Sequence, residues 1–301
     1  MHRGSLVVLD SAGAVTFAAG AVDRPILPRS SNKPVQATAL LATGWAPGSA
    51  RELAIGAGSH NGEDGHRDLA AAMLAAAGLG PDDLGCPPAL PEYEVTRGAW
   101  LATGRAPDRL AMNCSGKHAA MLSACVAAGW PTEGYLSPDH PLQVAIAARL
   151  AEAAGEPVTA VVVDGCGAPQ HALSVTGLAR GVLSLVRAGE GTRERAVADA
   201  MRAEPWFVAG TGREDTELMR AVPGLLVKAG ADGVHVAALP GRGAVALKLD
   251  DGGERGRTPA LAAGLQRLGV GAEELSRWLL TPVSGGDAVV GEVRAAPSVS
   301  G

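Results

Sequence analysis

The stretch 225–253, LLVKAGADGVHVAALPGRGAVALKLDDGG, holds three short apolar runs separated by Ala-Asp and Pro-Gly-Arg turns. Runs of this length between turn residues predict an antiparallel meander. Near the other end of the chain, SLVVLD and VTFAA flank the small-residue turn Ser11-Ala12-Gly13-Ala14 and predict a hairpin. Between them lie helical runs at about 34–43, 63–78, 116–129, 140–154, 178–188 and 191–204, with buried-strand candidates in ELAIGA (52–57) and VTAVVVDG (158–165). Helices at 257–268 and 273–280 and a strand near 289–295 are expected after the meander. Strands at both ends with helices between them do not alternate as in a doubly wound fold. They predict an α+β architecture: one antiparallel sheet formed from N- and C-terminal strands, with an inserted helical lobe. No Pro/Ser-rich linker divides the chain, so residues 1–301 are expected to form a single two-lobed domain with a cleft between the lobes.

The 301 residues are 47% hydrophobic and 19% charged, enough apolar material for a full core. A net charge of −5 and an aromatic content of 3% supply neither a basic field nor stacking rings, which argues against a nucleic-acid partner. The apolar run before Asp10 is too short for a secretory segment, and no later run reaches the ~18 residues of a membrane span. A cytoplasmic chain with no membrane partner is expected. Cys86, Cys114, Cys125 and Cys166 are far apart and form no C-x-x-C pair, so in a reducing compartment they read as thiols rather than a disulfide framework.

RSSNKPVQ (29–36) places a lysine in the first turn of a helix, facing the positive end of the backbone dipole at a cost of a few tenths to about 1 kcal/mol. A chemical role would compensate. Ser30 and Lys33 are spaced i, i+3 and meet on a helix, whereas Ser31 and Lys33 do not. Ser30 is a candidate nucleophile, and Lys33, when neutral, a base for its proton. Arg29 and the helix N-terminus favour that neutral form. Taken alone, the pair is also what an N-cap serine and a surface lysine look like. GAGSHNGEDGH (56–66) lacks the third glycine and the closing Lys-Ser/Thr of a phosphate cradle. A strand ending in Ser59-His60 before a Gly62 turn would present a polar pair. MNCSGKHAAML (112–122) puts more polar residues at a helix start than capping needs, and helix N-termini lower thiol pKa values. VVVDGCGAPQH (161–171) carries Asp164 and Cys166 in a glycine-rich turn after a strand. Lys228 lies on a meander strand ahead of small residues that admit a close approach, although a lysine guarding a sheet edge has the same signature.

Taken in order, RSSNKPVQ, GSHNGEDGH, NCSGKHAAML, SPDHPLQ, DGCGAP and VKAGADG resemble the rhizobial-type L-asparaginase family. That family is similar in fold to serine β-lactamases, penicillin-binding proteins and serine-dependent glutaminases. The resemblance runs from His2-Arg3-Gly4 to about Arg294, and the family carries one more strand ahead of the His-Arg-Gly. It implies a β-lactamase/transpeptidase-like fold and hydrolysis of L-asparagine to L-aspartate and ammonia. By the same resemblance Ser30 and Lys33 form a first serine-lysine pair and Ser59 and Lys228 a second, with spacing leaving open which serine attacks first. Arg29, His60, His118 and Asp164 fall where the family shapes its substrate pocket. Cys114, Lys117 and Cys166 fall on its metal position, implying Zn2+ in a structural or affinity-tuning role; a lysine ligand must be neutral, and two zinc-bound thiolates must lie within roughly 4 Å of each other. A homodimer is implied as well. Two other readings stand beside this one. A glutaminase or other amidohydrolase would differ by a pocket one methylene larger, a discrimination of about 1–3 kcal/mol. A poorly catalytic protein that binds asparagine and zinc is the second.

Overall fold

The computed structural model describes residues 1–299. The chain runs β1 (Gly4–Asp10), β2 (Val15–Ala19), β3 (Pro25–Ile26), α1 (Lys33–Ala42), α2 (Ala50–Gly56), α3 (Asp64–Ala76), α4 (Glu94–Ala102), α5 (Ser115–Ala128) and α6 (Pro141–Ala154). It continues through β4 (Val161–Val163), β5 (Pro169–His171), β6 (Leu173–Ser174), α7 (Val175–Arg187), α8 (Arg193–Ala203), α9 (Pro205–Val208) and α10 (Glu214–Ala221). The last part is β7 (Leu226–Ala229), β8 (Val234–Leu239), β9 (Gly243–Leu249), α11 (Arg257–Arg267), β10 (Leu280–Gly285) and β11 (Ala288–Arg294).

Both ends of the chain build one antiparallel sheet in the order β2-β1-β9-β8-β7. The α+β architecture expected from the sequence is present. Asp10 closes the first hairpin by accepting the N–H groups of Ala12 and Ala14 at 2.9 Å each. Leu6 to Leu9 and the whole of β8 are buried, although successive strand residues face opposite ways. A sheet buried on both faces needs cover on both, and α7 and α11 supply it, each lying along β1, β8 and β9. α7 begins at Ser174, whose hydroxyl accepts the Gly177 N–H at 2.8 Å, and its stripe of Leu178, Val182, Leu185 and Val186 has the i, i+3, i+4 spacing that one helix face requires. The inserted lobe packs α1 on α6 and α8, α2 on α5 and α8, and α3 on α5. A 3₁₀ turn, Arg29–Asn32, leads into α1 and touches β7 and β8, so this turn lies where the lobe meets the sheet.

Three expected elements differ. Residues 52–57 are not a buried strand but the body of α2. Ser49 Oγ caps it by accepting the Glu52 N–H, and Glu52 reaches back to the Gly48 N–H at 2.8 Å, so local capping decides a run too short for periodicity to decide. Ser59 and His60 accordingly follow a helix. In 158–165 the strand is only Val161–Val163, and its valines are 45%, 42% and 78% exposed, because β4 is the outer strand of a separate two-stranded ribbon whose inner strand, β5, takes the buried place against α6. Residues 273–280 form isolated turns rather than a helix, since Leu280 is drawn into β10, which pairs with β11 from 280 to 294.

α5 starts hard against α2: a Cβ at Gly116 would lie 2.5 Å from Ile55 Cγ1 and 2.9 Å from Ile55 O. Gly116→Ala is expected to lower stability by about 1–3 kcal/mol, the ordinary cost of overpacking. A urea midpoint equal to wild type would show that the two helices are not in this contact.

Candidate active site

Two backbone distortions frame the site. Among the described residues, Arg29 (φ 54°) and Asp232 (φ 55°) are the non-glycine positions with positive φ, and their side chains are ion-paired. Arg29 Nε also donates to Asp164 Oδ1 at 2.7 Å. The guanidinium is thereby committed to two carboxylates, one from the β4–β5 turn and one from the β7–β8 turn. Ser30, next in the chain, lies on the wall of a cavity of about 430 Å³ that Ser59, Glu92, Asn113, Arg213, Glu214, Asp215, Glu254 and Arg257 also line.

Lys33 is 1% exposed, and its ammonium donates to Gly58 O at 2.7 Å, Ser59 Oγ at 2.8 Å and Cys114 Sγ at 3.0 Å. The structure therefore pairs Lys33 with Ser59; among the described residues no hydrogen bond joins it to Ser30. The i, i+3 rule presumes one continuous α-helix. Here Ser30 sits in the 3₁₀ turn and Lys33 opens α1, so the lysine is turned inward between α2 and α5.

Lys228 is likewise 1% exposed, and it contacts Asp215 Oδ2 at 3.4 Å and Ala229 O at 2.8 Å rather than Ser59. Asp215 also accepts the Ala229 N–H at 2.8 Å and His235 Nε2 at 2.9 Å. Burial pushes the Lys228 ammonium down to about 8, against the pull of Asp215 and with the help of the charges on Lys33 and Arg213. Burial alone would raise the Asp215 carboxyl, but Lys228, His235 and the Ala229 N–H outweigh it and hold it well below the usual carboxylate range.

Cys114 Sγ donates to Asn113 Oδ1 at 3.0 Å and lies close enough to Cys166 for each thiol to shift the other's ionisation. Cys114, Lys117 and His118 together hold Cys166 well below the ordinary thiol range, while Cys166 and burial push Cys114 itself up. Lys117 Nζ donates to Cys166 Sγ at 3.0 Å; burial would lower it, but both sulfurs outweigh that and raise it. No group of three or more His, Cys, Asp or Glu side chains among the described residues could hold a metal, so a metal here would depend on the Lys117 amine as third donor. The donor types fit zinc, provided that Lys117 gives up its proton.

His60 and His118 are fully buried behind the cavity rather than on its wall. His60 Nε2 meets Ser115 Oγ at 3.0 Å, and His118 Nδ1 meets Tyr135 OH at 2.6 Å, with burial pushing His118 down to about 4. Sequence reasoning missed Glu92, Arg213, Arg257 and above all Asp215. The available signal was Lys228 itself: a lysine on a strand buried throughout needs a counter-charge. The chain has only four lysines, and three of them, Lys33, Lys117 and Lys228, are buried.

Hydroxyls on a cavity wall with buried amines behind them have the make-up of an acyl-transfer hydrolase. The chain belongs to the L-asparaginase II family, whose model matches residues 1–295. Similar solved structures include Mglu in its native form, at 16% identity and a TM-score of 0.46 over 95% of this chain and 66% of that one. They also include a putative beta-lactamase from Bacteroides dorei DSM 17855, at 15% identity and a TM-score of 0.47 over 89% of this chain and 93% of that one. The chain spans just under two thirds of the Mglu length. No curated protein matches it.

Because its carboxyl is depressed in the folded state, Asp215 contributes stability that is present above the unfolded carboxyl value of about 3.9 and lost as pH falls below it. Urea unfolding between pH 6 and pH 3 is expected to show a shallower acid loss in Asp215→Asn than in wild type. Equal slopes would mean that this carboxylate is not held by its partners.

Proposed function

We propose that the chain hydrolyses the side-chain amide of L-asparagine to L-aspartate and ammonia through serine-lysine nucleophilic catalysis. The observation that carries this reading is the 2.8 Å contact of Lys33 Nζ with Ser59 Oγ, in the wall of a cavity that also holds Ser30. Lys33, in its unprotonated form, takes the Ser59 proton as Oγ bonds to the amide carbon. The C–N bond breaks, and ammonia leaves with that proton. Water then attacks the ester and gives one proton through Lys33 back to Ser59, releasing aspartate. Ser30 supplies a second hydroxyl at the same carbon, the two serines can exchange roles, and Lys228 is in this reading the second amine of the site, acting on the cavity through Asp215 rather than by contact with Ser59. Arg213 and Arg257 face Glu92, Glu214 and Glu254 around the cavity, so both charges of a free amino acid find a counterpart. Arg29, Asp164, His60 and His118 serve in this reading as the frame behind the wall. The assembly proposed is a homodimer in the cytoplasm, which light scattering and cell fractionation would establish; no helix among the described residues is long and apolar enough to cross a membrane.

Ammonia release should be faster with L-asparagine than with L-glutamine, and absent without substrate. Glutamine turnover equal to or faster than asparagine turnover would make the chain a glutaminase, and saturable binding without ammonia would make it a binding protein. Lys33→Ala and Ser59→Ala are each expected to lower kcat by about 10²–10⁴-fold. The double variant should be little worse, since residues acting as one unit are non-additive. Ser30→Ala compared with Ser59→Ala identifies the attacking hydroxyl, and near-normal turnover in Lys33→Ala would falsify the mechanism.

We further propose that Cys114, Lys117 and Cys166 hold zinc beside the cavity. When bound, the ion would supply a fixed positive charge and a Lewis acid; the serine-lysine steps do not need it. Protein purified without chelator is expected to carry zinc, to release it in acid as the ligands take up protons, and to lose it in Cys114→Ser and Cys166→Ser. Those variants should bind asparagine more weakly, with a smaller effect on kcat. Absence of zinc together with normal kinetics in both variants would leave the thiols as packing residues.

A further inference from the structure

We propose that Asp215 is the positioning residue of the second lysine: it clamps Lys228 behind the cavity wall and sets its proton exchange. The proposal deepens the serine-lysine reading and rests on it for the kinetic part of its test. The clamp has two points on one strand. Lys228 and Ala229 are neighbours on β7, and Asp215 receives the ammonium of the first at 3.4 Å and the N–H of the second at 2.8 Å. β8 adds a third point through His235 Nε2 at 2.9 Å. Asp215 lines the cavity and Lys228 does not, so the carboxylate stands between the lysine and whatever occupies the cleft.

Other groups close the local charge balance. Arg213, just ahead of α10, faces Glu92 and Asn61 through hydrogen bonds of 2.5 and 3.2 Å. Lys33, on α1, repels Lys228 but is held by Gly58, Ser59 and Cys114. Arg257, on α11, is paired with Glu214 and Glu254. α9, packed against α10, brings no titratable side chain. Asp215 is therefore the carboxylate that answers Lys228. If stability alone were served, an apolar pair of the same volume would do as well or better.

The test uses the four lysines as probes. In protein labelled at lysine 13Cε, Lys228→Met identifies the Lys228 signal, and that signal is expected to titrate near about 8 in wild type. In Asp215→Asn the transition should move to lower pH by about one unit or more, a tenfold change in acidity. The matching limb of the asparagine pH–rate profile should move with it. A folded Asp215→Asn protein with an unmoved Lys228 titration overturns the proposal. Should that variant fail to fold, the charge-balanced double variant Lys228→Met/Asp215→Asn decides. A kcat matching that of Lys228→Met supports action through the lysine, and a further fall beyond about threefold overturns it. The NMR titration needs no turnover, so a chain inert toward asparagine would defeat the proposed function while leaving this inference to be decided on its own.

Discussion

A lysine ammonium taken out of water must be given acceptors, or its burial costs several kcal/mol. Lys33 is the clearest case in this chain, and much of the lobe is arranged to meet that demand. Its acceptors come from the connection after α2, through Gly58 O and Ser59 Oγ, and from the start of α5, through Cys114 Sγ. The connection is itself pinned: Ser59 N–H donates to Val208 O at 2.7 Å and His60 N–H to Asn113 O at 3.0 Å. Gly58 allows this approach, because a Cβ there would meet Val208 O at 2.7 Å. One buried charge thus fixes α1, α2, α5 and α9 relative to one another, and the hydroxyl of Ser59 is carried into place with them.

The sheet was legible because its strands are short apolar runs punctuated by turn residues at both ends of the chain, and the antiparallel order follows once the inserted segment reads as helical. ELAIGA was not legible as a helix, because a short buried run looks alike in either state and the deciding contacts, Ser49 with Glu52 and Glu52 with Gly48, are local caps. VTAVVVDG misled in the opposite way: three β-branched valines in a row suggest a core strand, but exposure is a property of the neighbouring layers, and β4 is the outer strand of its ribbon.

The site divides along the same line. Residues brought together by helix starts and strand ends were readable: Cys114 and Lys117 begin α5, Cys166 follows β4, and they do converge. The pairing of the serines with the lysines was not readable, since it depends on whether a turn of 3₁₀ helix precedes α1. Asp215 was hidden for a different reason. It lies in the first turn of α10 with Glu214 and Glu217, an acidic cluster that looks like ordinary complement to the helix dipole. Only the packing of α10 on β7 removes one of these three from water and turns it into the counter-charge of Lys228.

Three buried lysines meet three kinds of acceptor, and the acceptor decides what each amine can do. Lys33 shares its protons with a carbonyl, a hydroxyl and a thiol, none of which need be charged. Lys117 donates to the Cys166 sulfur at 3.0 Å, and each of the two favours the charged form of the other. Lys228 faces a carboxylate that is fixed from two strands, and burial and pairing work on it in opposite directions. Arginine could replace none of them in an exchange of protons, because its guanidinium stays charged. The scarcity of lysine elsewhere in the chain fits that division: arginine serves the surface ion pairs, and three of the four lysines are buried, each against acceptors of its own.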